Sequence, residues 1–215
     1  MKLYIYDHCP FCVRARMIFG LRDVPVEEVV LLNDDEETPI GLIGAKQVPI
    51  LQKPDGSHMG ESLDIVRFID EYADKGRLKD AIRPEVQAWF DQTADYANKL
   101  VQPRDVRLGL PEFATQSAID YFVGKKEKTI GNFAANLDNT KKYLARAHEA
   151  LAELEALVQS PEALSEELSM EDIIVFPILR NLTMVRGLVL PPKLATYVQN
   201  MSEKSKVPLY YDRAL

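Results

Sequence analysis

Hydrophobic and polar positions follow two different patterns along the chain. As far as residue 72, short apolar runs alternate with segments in which apolar residues recur at helical spacing. The runs predict four strands, over Lys2–Tyr6, Val26–Leu32, Gln47–Gln52 and Ser57–Met59. Side chains of the first strand are mostly apolar on both faces, which is typical of a strand covered on both sides.

Three helices are predicted between and after these strands. The first is ended by the segment 22–25, the second lies near Glu36–Ile43, and the third begins at Gly60–Ser62. Strand, helix and strand in this order form a parallel βαβ unit. Residues 1–72 are therefore predicted to form an α/β domain with the order βαβαββα, a small sheet flanked by helices.

The remainder of the chain has a helical pattern. The polar segment 73–84 is interpreted as a linker, and no convincing strand follows it. Apolar residues between Leu144 and Val158 repeat at spacings of three and four, which predicts an amphipathic helix. Ser169 followed by Asp172 is a capping signature for the start of another helix. Residues 85–215 are therefore predicted to form an all-helical domain.

The charge distribution along the chain indicates which classes of partner are not expected. The chain carries 26 Lys and Arg against 33 Asp and Glu, and residues 1–75 hold 8 of the basic and 14 of the acidic side chains. Because there is no basic cluster, neither nucleic acid nor an anionic membrane is an expected partner. The sequence contains no apolar stretch of about 20 residues and no signal-peptide pattern, so we expect a cytoplasmic protein.

Both cysteines of the chain lie in one motif, Cys9-Pro10-Phe11-Cys12, between the first predicted strand and the first predicted helix. Pro10 suits the first helical position, which makes Cys9 the N-cap and the outer thiol, with Cys12 inside. A thiol at a helix N-terminus faces unpaired N–H groups and the positive end of the dipole, which favours its thiolate. We predict thiol–disulfide exchange in which Cys9 attacks and Cys12 resolves the mixed disulfide.

Two other interpretations of this pair are a zinc half-site and an inert pair in the core. Zinc needs about four ligands, and the three histidines show no finger-like spacing, so no metal is expected. A Cys-x-x-Cys motif between strand and helix of a βαβ unit favours redox chemistry over an inert pair.

Three charged or titratable residues flank the motif. His8 could stabilise the Cys9 thiolate, but adjacent residues usually point in different directions on leaving a strand, so no catalytic role is predicted for it. Arg14 and Arg16 could contact an anionic substrate, and the simpler prediction is that they are solvated charges on the first helix.

Two further segments could bind a ligand. Val48-Pro49, ahead of the third strand, is compatible with a cis bond that leaves the Val48 N–H and C=O free to pair with a peptide-like ligand. Glu61-Ser62, at the start of the third helix, is either an ordinary cap or a place where Ser62 and local N–H groups hold a carboxylate.

Together, the Cys9–Cys12 motif, Val48-Pro49 and Glu61-Ser62 resemble the glutaredoxins, and specifically the large bacterial glutaredoxin 2 type, over the whole chain. The resemblance implies a thioredoxin-like N-terminal third and the two-domain layout of glutathione transferases. It also implies that Pro49 is cis and that Val48 pairs with the cysteinyl part of glutathione. Glu61 and Ser62 would hold the γ-glutamyl end, beside Cys9.

Small glutaredoxins commonly have a lysine two residues before the first cysteine and a threonine before Val-Pro. This chain has Asp7 and Gln47 there, which favours the large type. The implied activity is glutathione-dependent reduction of protein disulfides and of glutathione mixed disulfides. Glutathione is then the reducing co-substrate, disulfide-containing or glutathionylated proteins are the partners, and the chain is expected to be a monomer.

Two other functions are compatible with the same layout. One is a glutathione transferase or dehydroascorbate reductase, in which the helical half supplies an apolar site for a second substrate. The other is a non-catalytic glutathione-fold module, similar to the intracellular chloride channel proteins, that serves as an interaction platform. The complete Cys-Pro-Phe-Cys motif favours the oxidoreductase over both.

Overall fold

Four short strands near the N-terminus form one mixed sheet in the computed structural model, which describes residues 1–215. The strands are β1 (Lys2–Ile5), β2 (Glu27–Val30), β3 (Ile50–Gln52) and β4 (His58–Met59), in the order β2-β1-β3-β4. β1 runs parallel to β2 and antiparallel to β3, and β3 runs antiparallel to β4. The predicted order of elements through this part of the chain is confirmed.

All four strands are shorter than predicted, and a local reason is visible for the first and the third. Tyr6 leaves the sheet because its backbone N–H donates to the Cys12 Sγ at 3.4 Å instead of to a neighbouring strand. Gln47 and Val48 lie outside β3, which begins only after Pro49, a residue without an N–H to donate.

Helices cover this sheet. They are α1 (Pro10–Arg22), α2 (Glu37–Ile43) and α3 (Ser62–Ala73). α1 packs against α3, and the Arg22 Nε near the end of α1 donates to the Asp70 Oδ1 at 2.7 Å. The core between the sheet and these helices consists of side chains with no exposed surface, among them Leu3, Ile5, Met17, Ile18, Ile50, Leu51, Ile65 and Ile69.

The rest of the chain is helical, as predicted. Its helices are α4 (Pro84–Thr93), α5 (Ala97–Asp105), α6 (Gln116–Ile130), α7 (Phe133–Asp138), α8 (Thr140–Glu155), α9 (Met170–Leu182) and α10 (Pro192–Ser205), with 3₁₀ turns at Pro111–Phe113 and Tyr211–Arg213. The predicted cap of α9 is confirmed, because the Ser169 side chain accepts from the first turn and the Ser169 N–H donates to the Asp172 Oδ2 at 2.9 Å. No helix combines the length and apolar character needed to cross a membrane.

The chain divides into two compact units, each built from more than one stretch. The first unit comprises Met1–Arg77, Gly109–Lys125 and Ser205–Val207; the second comprises Leu78–Leu108, Lys126–Lys204 and Pro208–Leu215. The sequence-based division into 1–72, 73–84 and 85–215 stays a prediction about the order of domains along the chain. The segment Gly109–Lys125 thus belongs to the same unit as the sheet and the cysteine motif, although it lies about a hundred residues further along the chain.

Candidate redox site

The cysteine pair occupies the first turn of α1. Cys9 is the N-cap residue in an extended conformation, with φ −70° and ψ 118°, and Pro10 takes the first helical position, as predicted. The Cys9 carbonyl accepts from the Val13 N–H at 3.0 Å, which closes the first turn. Cys9 is half-buried and Cys12 is fully buried, and both are free thiols. One thiol is therefore accessible and the other lies directly behind it.

Hydrogen bonds at this helix start favour the thiolate of Cys9. The Cys12 thiol donates to the Cys9 sulfur, and together with the positive charge of His8 and the backbone N–H groups of Phe11 and Cys12 it lowers the pKa of Cys9 to about 6, against the opposing effect of burial. Cys9 is therefore mostly ionised at neutral pH.

Cys12 is held in the opposite state. Burial raises the pKa of Cys12 well above its ordinary value, and the hydrogen bond to Cys9 and the negative charge of the Cys9 thiolate raise it further. Because like charges in contact cannot both form easily, one proton stays on the pair, and it stays on Cys12. The two thiols are therefore chemically distinct, one a nucleophile and the other a hydrogen-bond donor.

The arginines of α1 are not solvated, so that prediction is wrong. Arg14 and Arg16 each expose only 8% of their surface. The Arg16 Nη1 donates to the Asp7 Oδ1 at 2.6 Å and its Nε donates to the Glu28 Oε1 at 2.9 Å. The Arg14 guanidinium lies 4.8 Å from the centre of the exposed Phe11 ring, which covers it. The acid at Asp7 is therefore neutralised by an ion pair.

His8 is buried beside the cysteines and meets a carboxylate from a distant part of the sequence. Its Nδ1 lies 2.6 Å from the Glu112 Oε1, and its backbone N–H donates to the same oxygen at 2.9 Å. The imidazole packs against Phe113 and Phe122, with ring centres at 5.0 and 5.1 Å. This pocket for His8 is built by the segment Gly109–Lys125 of the first unit.

The Val48–Pro49 peptide is cis, and the Val48 N–H and C=O make no hydrogen bond within the protein. β1 and β3 are antiparallel neighbours, so the C-terminal end of β1 and the N-terminal end of β3 lie at the same edge of the sheet. Lys46 fixes the segment before Val48, since its Nζ donates to the Tyr6 Oη at 2.7 Å and to the Asn33 carbonyl at 2.9 Å. The free backbone groups therefore lie at the sheet edge where β1 leads to the cysteines.

Glu61 and Ser62 form the start of α3. Ser62 is buried at the first helical position. Glu61 is exposed and has φ 60° and ψ 107°, a backbone conformation that residues other than glycine rarely adopt. The Gln47 Nε2 donates to the Glu61 Oε1 at 3.2 Å, which joins the Val48 segment to the start of α3. A Cβ at Gly60 would lie 2.6 Å from that same nitrogen, so a larger residue there would displace the Gln47 side chain.

Sequence reasoning alone did not find two residues of this region. Glu112 follows Cys9 by about a hundred positions, and nothing in its local pattern distinguishes it from a solvated acid. Lys46 is an isolated lysine before a strand. Only the fold shows that Glu112 is buried and faces His8.

Comparison with known proteins agrees with this architecture. A family model described as the C-terminal domain of glutaredoxin 2 matches residues 85–214, and one described as the N-terminal domain of glutathione S-transferase matches residues 3–77. Glutaredoxin 2 of Escherichia coli strain K12 is 46% identical over 215 residues, which is the full length of both chains.

Solved structures show the same relationship. The crystal structure of glutaredoxin 2 from Salmonella typhimurium in complex with glutathione has a TM-score of 0.97 at 44% identity, covering 100% of this chain and 98% of that one. Glutathione transferase Omega 3C from Trametes versicolor has a TM-score of 0.56 at 18% identity, covering 97% of this chain and 84% of that one, and shares the fold. The predicted fold class and resemblance are confirmed, and the chain belongs to the glutaredoxin 2 family.

Proposed function

We propose that the chain is a glutathione-dependent thiol–disulfide oxidoreductase that reduces protein disulfides and glutathione mixed disulfides. The observation that carries the proposal is the asymmetry of the pair: an accessible Cys9 whose pKa is lowered to about 6, hydrogen-bonded by a buried Cys12 that keeps its proton. This combination supplies a nucleophile at neutral pH together with a thiol placed to attack it in turn.

The reaction begins when the Cys9 thiolate attacks one sulfur of a substrate disulfide. A Cys9–substrate disulfide forms, the substrate S–S bond breaks, and the other substrate sulfur leaves as a thiolate. Cys9 then no longer carries a negative charge, which removes one cause of the raised pKa of Cys12. Cys12 loses its proton and attacks the Cys9 sulfur, so the second substrate thiol leaves and the enzyme holds a Cys9–Cys12 disulfide.

Two molecules of glutathione restore the dithiol. The thiolate of the first attacks the Cys9 sulfur, which forms a Cys9–glutathione disulfide and releases Cys12, to which a proton returns. The second attacks the glutathione sulfur of that disulfide, which releases the Cys9 thiolate and oxidised glutathione. Two electrons pass from glutathione to the substrate in each cycle. A glutathionylated substrate needs only Cys9, because the first attack already yields the Cys9–glutathione intermediate.

We propose that glutathione lies along the segments that flank the motif. The free N–H and C=O of Val48 suit the cysteinyl part of a peptide ligand. Ser62 and the N–H groups at the start of α3 suit the γ-glutamyl carboxylate, and Glu61 suits its amino group. The hydrogen bond from Gln47 to Glu61 supports this arrangement because it joins the two segments.

We also propose that this chain works in the cytoplasm and as a monomer. Using both cysteines in one redox pair is typical of proteins in a reducing compartment, where reduced glutathione is available as co-substrate. The monomer follows from the resemblance to the large glutaredoxin type, and sedimentation equilibrium of the purified chain would test it.

Turnover of a glutathionylated peptide tests the activity. The purified protein should catalyse release of the peptide thiol by reduced glutathione, monitored through NADPH consumption by glutathione reductase. A rate no higher than that of glutathione alone would overturn the proposed function.

A Ser62→Ala variant should bind glutathione less tightly. Losing a hydrogen bond to a charged group costs about 1.5–3 kcal/mol, so we expect the KM for glutathione to rise by about tenfold or more with little change in kcat. Ser57→Ala is the matched control, since Ser57 lies in the β3–β4 turn at the opposite end of β3. Equal KM values for the two variants would contradict a hydrogen bond between Ser62 and glutathione.

The reactivity of Cys9 should fall as pH falls through about 6, because only the thiolate reacts and protonation removes it. Replacing Cys12 shows how much of the lowered pKa of Cys9 comes from the Cys12 hydrogen bond. Cys12→Ser keeps a hydroxyl that can donate to the thiolate, whereas Cys12→Ala removes the donor, so the midpoint should lie at higher pH in Cys12→Ala. The measurement is the rate of iodoacetamide alkylation between pH 4 and 9. Identical midpoints in the two variants would show that the Cys12 hydrogen bond does not stabilise the thiolate.

A further inference from the structure

Glu112 is a fully buried acid whose side-chain hydrogen bonds both come from one residue. The Glu112 Oε1 accepts from the His8 backbone N–H at 2.9 Å and from the His8 Nδ1 at 2.6 Å. The Glu112 Oε2 is buried and accepts no hydrogen bond from the protein. His8 is the residue immediately before Cys9.

The contact restricts where the proton between the two side chains can lie. An ionised carboxylate only accepts hydrogen bonds, so with Glu112 ionised the proton of this contact lies on the His8 Nδ1. A buried carboxylate needs a compensating positive charge, and His8 is the one side chain that hydrogen-bonds to Glu112. An imidazolium at His8 would supply that charge.

The surroundings hold both partners in place. The Glu112 carbonyl accepts from the Asn33 N–H at 2.9 Å, which anchors the 3₁₀ turn that carries the acid. The imidazole is stacked on Tyr6, with ring centres at 5.8 Å and planes 6° apart, and contacts Phe113 and Phe122 on other sides. These contacts restrict rotation of the imidazole, so the ring stays in place just before the start of α1.

We propose that Glu112 is a positioning residue of the redox site: it keeps His8 as an imidazolium, and the positive charge of His8 stabilises the Cys9 thiolate. The proposal rests on the proposed function only in taking Cys9 as the nucleophile. It is supported by the contribution of His8 to the lowered pKa of Cys9.

A simpler alternative has the opposite consequence. If Glu112 acted on Cys9 directly as a negative charge, it would disfavour the thiolate, and removing it would lower the pKa of Cys9. If Glu112 acts through His8, removing it lets the buried imidazole lose its proton, and the pKa of Cys9 rises. The direction in which the pKa of Cys9 changes therefore distinguishes a direct effect of Glu112 from an effect through His8.

Other charged or titratable groups near the dithiol are unchanged by this substitution. Arg14 faces Cys9, whose thiolate opposes the lowering of the Arg14 pKa by burial. The remaining groups belong to two sets of contacts, Asp7–Arg16–Glu28 and Tyr6–Lys46–Asp35–Tyr121. None of these groups bonds to the Glu112 side chain, so they provide the same background in both proteins.

The experiment is a thiolate titration at 240 nm, made in a Cys12→Ser background so that only Cys9 titrates. Glu112→Gln keeps the shape of the side chain and an acceptor for the His8 N–H but removes the charge. We expect the midpoint of Cys9 to rise by about one pH unit, which is a tenfold change in the ionisation constant. An unchanged or lowered midpoint would overturn the proposal.

A double-mutant cycle tests whether the effect passes through His8. His8→Asn alone should raise the midpoint of Cys9, and adding Glu112→Gln to His8→Asn should cause no further rise. A further rise of similar size would show that Glu112 acts independently of His8 and would contradict the proposal. Because the titration uses neither glutathione nor a disulfide substrate, its outcome is independent of whether turnover is observed.

A second measurement applies if Glu112→Gln does not fold. In the unsubstituted protein labelled with ¹⁵N-histidine, the His8 ring nitrogens should show the chemical shifts of an imidazolium at pH 7. Shifts of a neutral imidazole at pH 7 would overturn the proposal without any variant.

Discussion

Cys9→Ser should abolish glutathione-dependent reduction of a small mixed disulfide, while Cys12→Ser should keep much of it. Every reaction cycle passes through a disulfide between Cys9 and the substrate or glutathione, and removal of a covalent nucleophile typically lowers the rate by roughly a thousandfold or more. Cys12 forms a covalent bond only when the enzyme closes its own disulfide. The measurement is NADPH consumption in the coupled assay with a glutathionylated peptide.

A protein disulfide substrate should give a different result with the same variants. Reduction of an intramolecular protein disulfide leaves the substrate attached to Cys9 until Cys12 attacks, so Cys12→Ser should accumulate the mixed disulfide. Electrophoresis without reductant would detect this species as a covalent complex that glutathione slowly resolves. Equal loss in both variants with the glutathionylated peptide would contradict the division of labour between the cysteines.

The hydrogen bond between the thiols refines this prediction. Cys12 donates to the Cys9 thiolate, so Cys12→Ala should be less active than Cys12→Ser at pH 6 and should approach it at higher pH. Circular dichroism spectra of the three variants control for misfolding, which matters most for the buried Cys12.

The redox motif was predictable because its chemistry is local. Cys9 and Cys12 lie within one helical turn, so their spacing, the N-cap position and the position of Pro10 follow from rules that involve a few neighbouring residues. The cap of α9 at Ser169 is local in the same way. A short apolar run and helical spacing likewise define β1 and α1, although the strand ends are set by contacts that the pattern does not contain.

Long-range partners were not predictable. The helical pattern predicts a solvated charge at Arg16, because its partner Glu28 belongs to the next strand. Whether the two side chains become buried together depends on how the sheet forms. His8 is separated from Glu112 by 104 positions, and a single acid in a helical region has many equivalent interpretations. Each of these contacts depends on tertiary packing, which sequence periodicity does not specify.

Gly20→Ala should destabilise the protein, although alanine favours helices more than glycine does. Gly20 lies near the end of α1, and a Cβ there would lie 1.9 Å from the Ser205 carbonyl oxygen and 2.3 Å from the Ser205 carbonyl carbon. These are backbone atoms, so α1 or the segment Ser205–Val207 has to move. Overpacking of this kind typically costs about 1–3 kcal/mol, occasionally more, against a gain in helix propensity of about 1 kcal/mol.

Gly124→Ala is the matched control, because Gly124 lies within α6 with nothing within 4 Å of an added Cβ. The same gain in helix propensity applies there without the clash, so we expect Gly124→Ala to be neutral or stabilising by up to about 1 kcal/mol. Urea unfolding followed by circular dichroism gives the free energy of unfolding for both variants. If Gly20→Ala were as stable as Gly124→Ala, the close approach of α1 to Ser205 would not be a feature of the protein in solution. α1 carries Cys9 at its other end, so a loss of stability in Gly20→Ala together with an unchanged thiolate titration would show that the clash at Ser205 is accommodated without disturbing the redox pair.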